Sequence, residues 1–141
     1  MNDLRPQVRR ADAVAPSLDD IAALAEAAFA SLPEAFRKLA GEVVFRVDDF
    51  PSEELLDDLG IEDPFELTGL YQGVSLRAQS VFSSPAEPAR VFLFRRPILD
   101  EWAERGDVTL GELVTHVLVH EIGHHVGLSD EDIETIEAKP D

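Results

Sequence analysis

Apolar residues recur at three- and four-residue intervals from Leu18 through Ile21, Leu24, Ala25 and Ala28 to Phe29, which is the spacing of one helix face. Ser17, with Asp20 three residues on, supplies the capping signal for that helix. A second short helix is predicted from Pro33 to Leu39, stopped at Gly41. The period then changes. Glu42 to Val47 is rich in Val and Phe and predicts a strand. Asp49 and Pro51 predict the cap and first turn of a short helix ending near Gly60. Leu67 to Leu76 predicts a second strand, bulged at Gly69 or Gly73, and residues 78–89, with Pro85 and Pro88, a loop. Arg90 to Arg96 alternates apolar and basic residues as a third strand, and Pro97 opens a short helix carrying Trp102. Thr109 with Glu112 is a capping box for the longest helix, Leu110 to Val126, which Gly127 ends. A last helix is predicted from about Asp130 to Ala138.

A chain of 141 residues, 45% hydrophobic and 29% charged, has the makings of one hydrophobic core and not of two. Residues 1–16, with Pro6 and Pro16 and little apolar pattern, predict a flexible lead-in, and 17–141 the domain. The formal charge of −17 argues against a nucleic-acid partner, which needs a basic footprint, and against an anionic membrane surface. It predicts a solvated, soluble surface or, as the sharper alternative, an acidic face for a basic partner. With no cysteine, neither a disulfide framework nor a thiolate metal site is available. No apolar run has the length of a signal peptide or a membrane span, so the expected location is cytoplasmic.

The chemistry is concentrated. All four histidines, His116, His120, His124 and His125, fall within ten residues of the predicted long helix. At about 3.6 residues per turn, His120 and His124 stand one above the other, so two imidazoles can reach one Zn²⁺. Glu121 follows the first of them, where its carboxylate can act as base towards a metal-activated water. Two histidines do not complete a catalytic zinc site, which takes three protein ligands and keeps one position open. Gly127 allows a sharp turn after the helix, and that turn brings Asp130 back as the expected third ligand. Asp130 has a competing role. Ser129 and Asp132 form a capping box for the last helix, and Asp130 in its first turn favours the helix dipole. If that is its only role, Glu131 or Glu134 becomes the ligand candidate.

Four further features are weighed beside these. His116, one turn before His120, is expected to pack against or support a ligand, or to line the cleft. His125 points about 100° away from His124 around the helix and cannot share its metal. Tyr71 is a cleft candidate whose hydroxyl can stabilise an oxyanion, although a half-buried strand tyrosine is the commoner case. The strand Arg90 to Arg96 is either a sheet edge on which an extended peptide docks or a central strand.

The run His120-Glu121-Ile122-Gly123-His124-His125-Val126-Gly127-Leu128-Ser129-Asp130 resembles the zincins, and most closely a family of small bacterial zincin-like metallopeptidases. The likeness extends to Leu32-Pro33-Glu34-Ala35-Phe36, to Leu67 through Gly73 and to Val91 through Ile98, but only the histidine run is specific in chemistry. It implies a single-domain minimal zincin-like α+β fold, with a small mixed sheet packed against the active-site helix. It also implies metal ligation by His120, His124 and Asp130, with Glu121 as catalytic base. The extended motif is similar to that of the metzincins, with aspartate where most have histidine. Those enzymes carry a methionine turn after the motif, whereas here the only methionine is Met1 and eleven residues follow Asp130. The small family is the better match.

The function expected from these readings is zinc-dependent hydrolysis of peptide bonds in peptides or flexible protein segments. The alternative is a zincin-fold protein that binds metal or a partner without catalysis. Zinc is the expected ion, and Mn, Fe or Co suit the same donors. Oligomeric state is left open.

Overall fold

In a computed structural model, residues 14–73 and 88–138 are described. Most of the predicted lead-in, the predicted loop 78–89 up to residue 87, and the end of the predicted second strand lie outside those residues.

Six α-helices, one 3-10 turn and three strands follow in the order α1 (Leu18–Ser31), α2 (Glu34–Ala40), β1 (Val43–Asp48), α3 (Glu53–Leu59), the 3-10 turn Pro64–Glu66, β2 (Gly69–Gln72), β3 (Ala89–Phe94), α4 (Arg95–Arg105), α5 (Leu110–His125) and α6 (Asp130–Ala138). The fold is α+β, as expected. The sheet order is β1-β3-β2, with β1 parallel and β2 antiparallel to β3. The strand Arg90 to Arg96 is therefore central, and the edge reading does not hold for it.

The capping boxes form as the sequence predicts. Ser17 and Asp20 close the start of α1, and Thr109 and Glu112 close that of α5. Two boundaries differ from expectation. The cap of α3 is Ser52, whose hydroxyl accepts from the Leu55 N–H, and not Asp49. Asp49 instead receives the Arg95 guanidinium at 3.0 Å, and its carbonyl accepts the Arg96 N–H. That pair of bonds starts α4 at Arg95, two residues before Pro97, so β3 passes into α4 without a loop. Gly69 is not a bulge, because the register Gly69–Leu93 to Gln72–Arg90 is regular. Gly73 lies past the strand.

Helix α5 runs through the middle of the molecule, touching α1, α2, α4, α6, β2 and β3. It buries Leu110, Leu113, Val114, Val117, Leu118, Val119, Ile122 and Gly123. Val91 and Leu93 from the sheet, Ile21, Ala25 and Ala28 from α1, Phe36 from α2 and Ile133 from α6 complete one core around it. Removing a side chain such as Leu118 or Ile122 from such a core costs about 2–5 kcal/mol. The histidine-bearing helix is thus anchored on several sides. Two glycines let neighbours press on it. A Cβ at Gly69 would lie 2.7 Å from Val117 Cγ1, and one at Gly123 would lie 2.9 Å from Ile133 Cδ1. Among the described residues, no helix is long and apolar enough to cross a membrane.

Candidate metal centre

His116, His120 and His124 form a column on α5. The rings of His116 and His120 lie 4.1 Å apart between centroids, and those of His120 and His124 lie 5.6 Å apart. They face α6, and the turn between the two helices determines what they meet. Gly127 takes φ +92. Its N–H donates to the His124 carbonyl at 3.2 Å and the Leu128 N–H to the Gly123 carbonyl at 2.9 Å. This is the paired-bond helix stop that a glycine favours, because a Cβ is strained there.

The chain then reverses. Ser129 and Asp132 cap α6 reciprocally, with bonds of 3.2 and 3.1 Å. Capping is therefore done by that pair, and the Asp130 carboxylate is directed elsewhere: its Oδ1 lies 2.7 Å from His124 Nε2. The contact is open to solvent, with the Asp130 side chain 80% exposed.

At the far end of α6, Glu137 closes on the other end of the column. Its two carboxylate oxygens lie 2.9 and 3.0 Å from His116 Nδ1, and one of them lies 3.4 Å from His120 Nε2. His116, His120 and Glu137 are thereby a set of three potential metal donors whose ligand atoms all lie within 4.8 Å of one another. Glu137 escaped the sequence reading, which named Glu131 and Glu134. Among the described residues, neither of those side chains bonds a histidine; both are exposed on α6. The signal that could have found Glu137 is its spacing from Ile133. On a helix Glu137 lies about 40° from Ile133, the residue buried against α5, whereas Glu134 lies about 100° from it.

His120 stands between the two carboxylates. Burial, then the neighbouring His116, lowers its pKa; Glu137 and, more weakly, Asp130 act the other way. A lowered pKa leaves its imidazole neutral near neutral pH, the form that ligates metal.

Glu121, half-buried beside the column, has its carboxyl pushed above the usual range by burial, with the charge of His124 and a main-chain hydrogen bond from Tyr71 opposing the rise. Strand phase explains that bond. The Phe94 N–H donates to the Thr68 carbonyl at 2.9 Å, so the alternation of an antiparallel ladder turns the Tyr71 N–H away from β3. The close approach of Gly69 to Val117 brings this edge down onto α5. The Tyr71 ring packs on His125 at 4.1 Å between centroids. Its burial raises the phenol pKa, so the hydroxyl stays protonated. Tyr71 thus reaches Glu121 through its main chain, and its ring accounts for His125.

A sequence model of the zincin-like metallopeptidases matches residues 40–139, which include β1 to β3, the whole of α5 and all of the turn to α6. The chain belongs to the zincin-like metallopeptidase family. No curated protein matches it. Membership of this family supports a metallopeptidase kind of function, and a peptidase family implies peptide substrates.

Proposed function

We propose that this zincin-like chain is a zinc-dependent peptidase in which His120, His124 and Asp130 hold the ion and Glu121 moves the proton. The observation that carries the reading is the 2.7 Å pairing of His124 with Asp130 across the Gly127 turn, one helical turn from His120 and beside Glu121. The donor set suits zinc: two imidazoles and one carboxylate leave a position open in a tetrahedral shell. Around an ion held at about 2.0–2.1 Å, neighbouring donor atoms lie roughly 3.3 Å apart, so the pair would part by roughly 0.6 Å, and His120, whose Nε2 lies 3.4 Å from Glu137, would turn to join it.

A bound zinc would supply Lewis acidity, polarising the scissile carbonyl and making a water acidic enough to ionise near neutrality. Glu121 would accept a proton from the attacking water as the water's oxygen adds to the carbonyl carbon. It then delivers the proton to the nitrogen as the C–N bond breaks. The Tyr71 main-chain bond holds the carboxylate in position for both transfers. Among the described residues no strand pairs with the outer edge of β2, so an extended peptide has main-chain groups to pair with beside Glu121.

Elemental mass spectrometry of the purified chain, together with mass-spectrometric cleavage assays on a peptide library, tests the reading. Near-stoichiometric zinc is expected in the wild type; it is lost in His120→Ala and held more weakly in His124→Ala and Asp130→Ala. Cleavage is lost in Glu121→Gln, which keeps its zinc. A wild type that binds no metal on titration would end the proposal. A folded, zinc-loaded wild type that cleaves nothing would leave a non-catalytic metal- or partner-binding protein.

A further inference from the structure

Glu137 has no part in the proposed reaction, yet its carboxylate contacts two histidines of the column, where that of Asp130 contacts one. A surface histidine–glutamate pair adds little to the stability of a fold and would need no comment alone. Three features make this one different. First, both Glu137 oxygens face the same His116 nitrogen, at 2.9 and 3.0 Å. Second, a third donor, His120 Nε2, lies 3.4 Å from one of those oxygens. Donor atoms around a tetrahedral ion with bonds of about 2.0–2.1 Å lie roughly 3.3 Å apart, so this arrangement is close to a ligand shell already. Third, His116 and Glu137 open onto a groove of about 340 Å³, also lined by Thr115, Glu112 and Arg105, which has room for the water ligands of an ion. Arg105 is paired with Glu101 at 3.0 Å, and the Glu112 carboxylate caps α5, so neither competes for the histidine or the glutamate.

We propose that His116 and Glu137 form a second divalent-cation position beside the first, with His120 able to serve either ion. The inference rests on the reading of His120, His124 and Asp130 as the first position. When His120 serves the first ion, the second position has two protein ligands completed by water, and it binds more weakly. When the first position is disabled at Asp130 or His124, the second has all three of its donors and retains one ion. The class of ligand is a borderline divalent cation, zinc or cobalt, because the donors are two imidazoles and one carboxylate.

The test is titration of the metal-free full chain with Zn²⁺ by calorimetry, with bound metal counted by elemental mass spectrometry after equilibrium dialysis. The wild type is expected to take up two equivalents, the second at least about tenfold more weakly. His116→Ala and Glu137→Gln should each lose the weaker class and keep the tight one. Asp130→Ala should keep one ion, and Asp130→Ala with Glu137→Gln should keep none. Glu137→Gln preserves size and packing, so loss of the weak class in it cannot be put down to unfolding, and circular dichroism checks each variant. A wild type that stops at one equivalent at millimolar free zinc overturns the second position and leaves the first intact. So does a weak class that survives in both His116→Ala and Glu137→Gln. If the only tight class is untouched by His124→Ala and Asp130→Ala but lost in Glu137→Gln, the first reading fails and the His116–His120–Glu137 position stands by itself.

Discussion

The two ends of α6 each bring a carboxylate to the histidines of α5, but they do so by different routes. Asp130 reaches His124 through six residues of chain, and a glycine turn and a capping box define its path. Glu137 reaches His116 across twenty-one residues, and it does so because Ile133 seats α6 against Gly123 of α5. The first contact is held by local geometry and lies in the open. The second is held by packing, with a Glu137 side chain only 25% exposed. Local geometry gives a contact that a short motif can encode; packing gives one that depends on the whole core.

The contrast breaks most completely at Glu121, which lies beside the column and belongs to neither contact. Replacing it with Gln should lower peptide hydrolysis by at least about 10²–10⁴-fold while zinc content stays near that of the wild type. Steady-state cleavage and metal analysis on the same preparation check this. Residual activity within tenfold of wild type would remove Glu121 from the proton path.

Next in size is the Asp130 contact. Asp130→Ala should weaken tight zinc binding by at least about 10²-fold, more than the 10–100-fold typical of a group that only supports a ligand. Competition with a chromophoric chelator measures it. An affinity unchanged within threefold would show that the His124–Asp130 pair is only a surface ion pair.

Two glycine substitutions then separate the routes. At Gly123 an added Cβ meets Ile133 Cδ1 and Cγ1 at 2.9 Å, so α6 or the isoleucine must shift. Gly123→Ala should cost about 1–3 kcal/mol and weaken both ends of α6 together. At Gly127 nothing lies near the added Cβ, but φ is +92. Gly127→Ala should cost about 1–2 kcal/mol in backbone strain and disturb the Asp130 end while sparing the Glu137 end. Denaturant melts give the stabilities, and the nitrogen shifts of His116 and His124 report the two ends separately. Equal disturbance of both histidines in Gly127→Ala would contradict the division.

What was legible in the sequence follows the same division. The helices, their capping boxes, the Gly127 stop and the return of Asp130 all depend on residues within a few positions of one another, where period and side-chain chemistry are sufficient signals. Whether Arg90 to Arg96 was an edge or a central strand was not, because strand order depends on which segments pair across tens of residues. The cap at Ser52 in place of Asp49 was missed for the same reason: Asp49 is taken by Arg95, forty-six residues away. The intervals at Gly69 and Gly123 gave no sign that another element would press there. Glu137 was hidden because only the seating of Ile133 turns that face of α6 towards the histidines.

The smallest expected effect concerns stability without metal. Burial raises the Glu121 carboxyl pKa despite the charge of His124 and the Tyr71 bond. The folded chain therefore holds this proton more tightly than the unfolded chain does. The stability it contributes is fully present below the unfolded pKa, about 4.3, and is lost as pH rises through the folded value. His120 is the opposite case: its lowered pKa gives stability present above about 6.5 and lost as pH falls through the folded value. Glutamine cannot ionise. Metal-free Glu121→Gln should therefore melt slightly above the wild type near pH 8, with the gap closing as pH falls towards the ordinary glutamate range. Zinc should narrow the gap or invert it, since a cation beside Glu121 favours the carboxylate. Thermal melts of both proteins across pH, with and without zinc, measure this. A metal-free variant that melts below wild type near pH 8 would mean that the ionised Glu121 contributes more through its Tyr71 bond than its burial costs. The base at the centre of the proposed mechanism would then be a structural anchor as well.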